Sequence, residues 1–186
     1  MLEAFLVSTG LVALAEIGDK TQLLSLVLAA RFRRPWPIVA GILASTLLNH
    51  TAAGALGAWI MHAVGEGIMT KIVALSFLAM AAWVLVPDKL DEADVAAEPR
   101  GGVFWTTVVL FFMAEMGDKT QVATVMLAAR YASLAAVIAG TTLGMMLANV
   151  PVVFFGDAIA KRVPLGIIRK VTAMAFAILG VAGLLA

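Results

Sequence analysis

The chain has no cysteine. Disulfides and thiolate metal sites are excluded, and the redox compartment leaves no trace in the sequence. Charge is scarce too, with 13% of residues charged against 62% hydrophobic. The net charge is +1, and no basic stripe carries interleaved aromatics, so a nucleic-acid partner is not expected. An early basic cluster is also missing. Glu3 is the only charge before the first apolar run. The start therefore reads as a first helix rather than a signal or transit peptide, which favours a bacterial plasma membrane over an organelle.

Apolar length is what the chain has in abundance. Its mean hydropathy of +1.02 is far above that of a soluble globular domain. A membrane-crossing helix needs roughly 20 apolar residues, so the chain has room for about six and little else. The pattern predicts spans at 4–28, 36–61, 69–87, 103–128, 134–159 and 165–186. Breaks fall at Arg31, Arg33, Arg34 and Pro35, at residues 65–67, at 130–133 and at 161–164. One long polar stretch, residues 87–102, holds Asp88, Asp91, Glu92, Asp94 and Glu98 against Lys89 and Arg100. Such acid-rich segments read as solvated linkers. The expected fold is an all-α integral membrane protein of six transmembrane helices. Residues 1–87 and 103–186 are its two halves, joined by an acidic linker at 88–102.

The halves are copies. Ala-Glu-Ile-Gly-Asp-Lys-Thr-Gln begins at Ala15 and returns, with Met116 for Ile17, at Ala114, 99 positions on. Over residues 15–31 and 114–130, 11 of 17 positions are identical. At the same offset Gly41 matches Gly140, Gly57 matches Gly156, Lys71 matches Lys170, and Phe77 matches Phe176. Each copy holds three spans, an odd number, so the second is expected to enter the membrane from the opposite side. Inverted repeats of this kind build many secondary transporters, with the substrate site near the midplane between them. With the N-terminus outside, nine loop lysines and arginines fall on the cytoplasmic side and two, Lys71 and Arg130, on the other. That excess predicts both termini outside.

The repeated motif puts Glu16, Asp19, Lys20, Glu115, Asp118 and Lys119 in the middle of apolar spans. Each such residue costs ~2.5–3.5 kcal/mol at a helix centre, so all six are expected to face inward and find partners. On a continuous helix, Glu16, Asp19 and Lys20 share one face, as do their counterparts. Four carboxylates against two ammonium groups leave a deficit that one divalent cation closes, which predicts one ion shared by both motifs. Carboxylate and amide oxygens are hard ligands, suited to Ca²⁺, Mn²⁺ and Mg²⁺. Gln22 and Gln121 are candidate ligands beside the four acids. Thr21 and Thr120 offer further oxygens, and Gly18 and Gly117 are places where a helix opens and frees backbone carbonyls. A purely structural alternative is a set of ion pairs that pins two helices together. Asn49, His50 and Asn149, which matches His50, are candidates for interhelical hydrogen bonds or a proton relay. Asp157 is expected to pair with Lys161.

The doubled Glu-x-Gly-Asp-Lys-Thr motif resembles the signature of the GDT1 family, also designated UPF0016, and the resemblance runs over nearly the whole chain. It implies six spans, exchange of Mn²⁺ and often Ca²⁺ for protons, and no resident cofactor. It also implies Glu16, Asp19, Glu115 and Asp118 at the ion site. For bacterial relatives it implies export of manganese from the cytoplasm. Three alternatives stay open on the residues alone. One is an exporter of heavy metals or amino acids from a related superfamily. Another is an intramembrane aspartyl protease using Asp19 and Asp118. The third is a membrane scaffold.

Overall fold

A computed structural model describes residues 1–87, 101–156 and 164–185. The described residues form eight helices and no strand. They are α1 (Leu2–Glu16), α2 (Lys20–Phe32), α3 (Pro35–Val64), α4 (Glu66–Trp83), α5 (Val103–Glu115), α6 (Lys119–Arg130), α7 (Leu134–Phe155) and α8 (Leu165–Leu185). The expected all-α class holds. By length and composition α3, α7 and α8 can each cross a membrane, while α4 and α5 are apolar but shorter. Residues 88–100 of the expected linker, and the expected Asp157–Lys161 pair, lie outside the described residues.

Two expected spans, 4–28 and 103–128, are each broken in the middle. Gly18 has φ +83° and Gly117 has φ +74°, a conformation open to glycine and strained for other residues. The flanking residues are extended in both copies. Ile17 has ψ 114° and Met116 ψ 119°, while Asp19 has ψ 168° and Asp118 ψ 164°. The helical hydrogen-bond ladder therefore stops at Glu16 and Glu115 and restarts at Lys20 and Lys119. This corrects the expected single-face arrangement: Glu16, Asp19 and Lys20 do not lie on one continuous helix. One smaller correction concerns the edge of a span: the helix of the third span, α4, runs Glu66–Trp83 rather than 69–87, while that of the fifth, α7, is described as far as Phe155.

Packing is exchanged between the halves. α1 lies mainly on α7, and its counterpart α5 lies on α3. α2 contacts α7 as α6 contacts α3, and α3 meets α7 while α4 meets α8. The close approaches repeat at equivalent positions. A Cβ on Gly41 would lie 2.9 Å from the Phe104 carbonyl and 2.7 Å from Thr107 Cβ. One on Gly140 would lie 2.5 Å from the Phe5 carbonyl and 2.9 Å from Ser8 Cβ. Small residues allow such backbone contact between helices. Phe77 and its counterpart Phe176 meet each other, with ring centroids 6.0 Å apart and both side chains fully buried. Equivalent residues of the two copies thus touch each other.

The outer surface is apolar. Leu2, Leu6, Leu75, Val109, Met113, Phe155, Ile178 and Leu185 are among many large exposed hydrophobics. So many large exposed apolar side chains are unusual for a surface that faces water. The four tryptophans are all exposed and lie towards helix ends. Trp36 and Trp105 sit in the first turns of α3 and α5, Trp83 ends α4, and Trp59 is near the end of α3. Tryptophan is enriched at the two membrane–water interfaces.

Candidate cation site

The two breaks bring the acids of both copies together. Oxygen atoms of Glu16, Asp19 and Asp118 lie within 4.8 Å of one another. These side chains are 0%, 2% and 4% exposed. Three carboxylates this close in an apolar interior repel one another strongly unless cations or protons intervene. Lys20 supplies one cation across the copies, its Nζ lying 3.7 Å from Asp118 Oδ1.

Each break is braced by the glutamine four residues on. Gln22 Oε1 accepts from the Gly18 N–H at 2.9 Å, and Gln121 Oε1 accepts from the Gly117 N–H at 2.7 Å. The amide nitrogens reach the other half. Gln22 Nε2 donates to the Ala148 carbonyl at 3.1 Å, and Gln121 Nε2 to Asn49 Oδ1 at 3.5 Å. Ala148 and Asn49 are equivalent positions, so the brace is duplicated with the repeat. Asp118 also caps α6, its Oδ2 accepting from Thr120 Oγ1 at 3.2 Å and from the Thr120 N–H at 3.4 Å.

Glu115 lies outside this acid group. It is fully buried and faces His50, with Nε2 3.6 Å from Glu115 Oε2. Its counterpart Glu16 faces the matching position, Asn149, whose Nδ2 donates to Glu16 Oε1 at 3.1 Å. Asn149 is fixed in turn by Ser25 Oγ, which donates to its Oδ1 at 2.7 Å, and by its own bond to the Met145 carbonyl at 3.1 Å. The partnership between positions 50 or 149 and the motif glutamate of the other half was not anticipated from sequence. The 99-residue match of His50 to Asn149 was the signal that pointed to it.

The basic residues are distributed unevenly. Lys119 is 2% exposed, and its Nζ donates to the Val86 carbonyl at 2.9 Å. Lys119, Asp19 and Arg169 line one narrow crevice of ≈ 10 Å³, together with Gly18 and Val84. Arg169, in the second turn of α8, is one of the nine bases that the sequence assigns to cytoplasmic loops. It adds a third base, beside the two motif lysines, in the neighbourhood of Asp19.

An apolar helical protein with buried acids clustered at paired helix breaks has the makings of a membrane cation carrier. Comparison with known proteins defines the class. The profile of a family described as "Divalent cation/proton antiporter GDT1" matches residues 4–92 and 103–186, and the chain belongs to that family. A Vibrio cholerae serotype O1 protein named "Putative manganese exporter" is 50% identical over 98% of this chain and 90% of its own length. A GDT1-like protein of Synechocystis is 30% identical over 88% of this chain and 87% of its own length. GDT1-like protein 4 of Oryza sativa subsp. japonica is 21% identical over 95% and 71%. No solved structure matches. The family is one of membrane transporters rather than enzymes, which removes the protease alternative.

Proposed function

We propose that the protein exports manganese in exchange for protons, with Ca²⁺ as a second substrate, across the plasma membrane of a bacterium. The observation that carries this reading is the convergence of Glu16, Asp19 and Asp118, acids from both halves, between two helix breaks. Hard oxygen ligands suit Mn²⁺ and Ca²⁺. The same oxygens hold protons or a metal but not both, which couples the two fluxes. The name of the Vibrio relative supports manganese as the cargo and export as the direction.

In this reading the site uses Glu16, Asp19 and Asp118 as ligands. Gln22, Gln121, Gly18 and Gly117 shape the breaks, and Glu115 stands beside the site with His50. The α1–α2 and α5–α6 pairs each make one broken span, giving six spans in two inverted three-span repeats. The exchanged packing and the Phe77–Phe176 contact support that arrangement. Both termini then lie outside, with the acidic linker in the cytoplasm.

Transport into proteoliposomes tests the function. Mn²⁺, Ca²⁺ and Mg²⁺ are offered separately, with and without an acidic interior. Mn²⁺ uptake should rise with the pH gradient and drive protons outward. Movement indifferent to the gradient, with no proton counterflow, would indicate a channel. Topology is checked by single-cysteine labelling, which the cysteine-free chain makes clean. Ala93→Cys should react only from the cytoplasm and Ser133→Cys only from outside.

A further inference from the structure

We propose that Lys20 is a tethered counter-cation: its ammonium group occupies the acid site when no metal is bound and leaves when a metal arrives. The proposal rests on the exchanger reading above and adds the step that reading lacks, the return of the unloaded carrier. Moving a cluster of bare carboxylates through a low-dielectric interior is costly. An ammonium already attached to the protein removes much of that cost without being released.

Four observations point to Lys20. Its Nζ reaches an acid of the other half, 3.7 Å from Asp118 Oδ1, so the contact spans the interface a transport cycle rearranges. Lys20 is also the first residue of α2, at the positive end of the helix dipole, where a cation is disfavoured. Local helix energetics do not explain a lysine there, whereas the acids do. Its exposure differs from that of its surroundings as well. The Lys20 side chain is 22% exposed and that of Asp118 4%, while Lys119 is buried with its Nζ bonded to the Val86 carbonyl. Lys20 is thus the ammonium with room to swing away. Finally, Arg169 and Lys119 already line the crevice at Asp19. With three clustered acids and the bases Lys20, Lys119 and Arg169 beside them, adding a divalent ion makes the assembly net positive, so binding favours the departure of one base.

Metal and Lys20 compete for Asp118. A metal–oxygen bond of roughly 2.0–2.6 Å cannot form on that carboxylate without bringing the ion up against the ammonium. Lys20 therefore weakens metal binding and speeds net turnover, two effects that a residue serving only the fold would not separate.

The experiment compares wild type, Lys20→Gln and Lys20→Arg, purified and reconstituted. Three quantities are read: Mn²⁺ affinity in detergent, Mn²⁺/Mn²⁺ exchange between equal Mn²⁺ concentrations, and net Mn²⁺ uptake driven by a pH gradient. Exchange between loaded states bypasses the unloaded carrier, whereas net uptake requires its return. Lys20→Gln should bind Mn²⁺ about tenfold more tightly, since a competing unit charge is gone. It should keep Mn²⁺/Mn²⁺ exchange while losing most net uptake. Lys20→Arg retains the charge and should keep most of the net uptake. If Lys20→Gln binds more weakly, or loses exchange and net uptake together, the proposal is overturned while the transport reading stands. The same holds if Lys20→Arg behaves like Lys20→Gln. If wild type shows no proton-coupled Mn²⁺ movement, the transport reading falls and this proposal with it.

Discussion

The two helix breaks share a backbone but differ in their company. Residues 17–19 and 116–118 follow nearly the same path, and each is braced by a glutamine four residues after its glycine. Yet Glu16 is held by Asn149 and joins the acid cluster, while Glu115 faces His50 and stays out of it. Thr124 and its counterpart Ser25 follow suit. Ser25 donates across to Asn149, while Thr124 turns back to the Thr120 carbonyl of its own helix. The repeat is nearly exact in backbone, and one difference between equivalent positions, His50 for Asn149, gives two identical glutamates different surroundings.

The sharpest way to break this comparison is to neutralise each glutamate in turn. Glu16→Gln should weaken Mn²⁺ binding by roughly 100-fold, as expected for disturbing a ligand and its hydrogen-bonded support together. Glu115→Gln should leave Mn²⁺ affinity at alkaline pH nearly unchanged. Equal losses, measured by calorimetry, would restore the equivalence expected from the repeat alone. In the wild type, affinity should fall as pH falls, because carboxylates must shed protons to ligate.

Making the halves alike sharpens the comparison further. His50→Asn gives Glu115 the partner that Glu16 has. Net transport should change by about tenfold at the acidic end of its pH profile, with Mn²⁺ affinity at alkaline pH preserved. An unchanged profile would mean that His50 serves packing alone.

A third test concerns the glycines. Gly18→Ala and Gly117→Ala each force a side chain into a left-handed conformation, at a cost of about 1–2 kcal/mol. Gly18→Ala should be the worse, because its Cβ would meet Leu165 Cδ2 at 2.6 Å whereas Gly117 opens onto free space. Thermal unfolding in detergent reads the difference. The smallest effect is expected from the braces. Gln22→Ala and Gln121→Ala should each cost about 0.6 kcal/mol per hydrogen bond lost, the average inside membranes. Gln22→Ala should be the larger, since its cross-half bond is 3.1 Å against 3.5 Å for Gln121.

Much of this was legible in the sequence. Apolar runs gave the helices, and the 99-residue offset gave the pairs Gly41 with Gly140 and Phe77 with Phe176, whose contacts obey it. The motif named the acids that cluster. Other features were hidden for physical reasons. The breaks were half legible: Gly18 and Gly117 were marked as places where a helix opens, but glycine inside a helix pattern permits a positive φ without requiring it. The exclusion of Glu115 depends on what stands across from it, and a motif identical in both copies carries no sign of its neighbours. Arg169 lies far from Asp19 along the chain, and only the folding of α8 against the other half brings it near.

The exchanged packing also constrains how the chain is made. α1 rests on α7, a helix synthesised well over a hundred residues later. At ~5–20 residues per second the ribosome needs on the order of ten seconds to deliver that partner. During this interval Glu16 lacks the amide of Asn149, and Asp19 lacks Lys119 and Arg169 beside it. The nascent chain therefore passes through a stage in which two acids that end up buried still await the partners that the second half supplies.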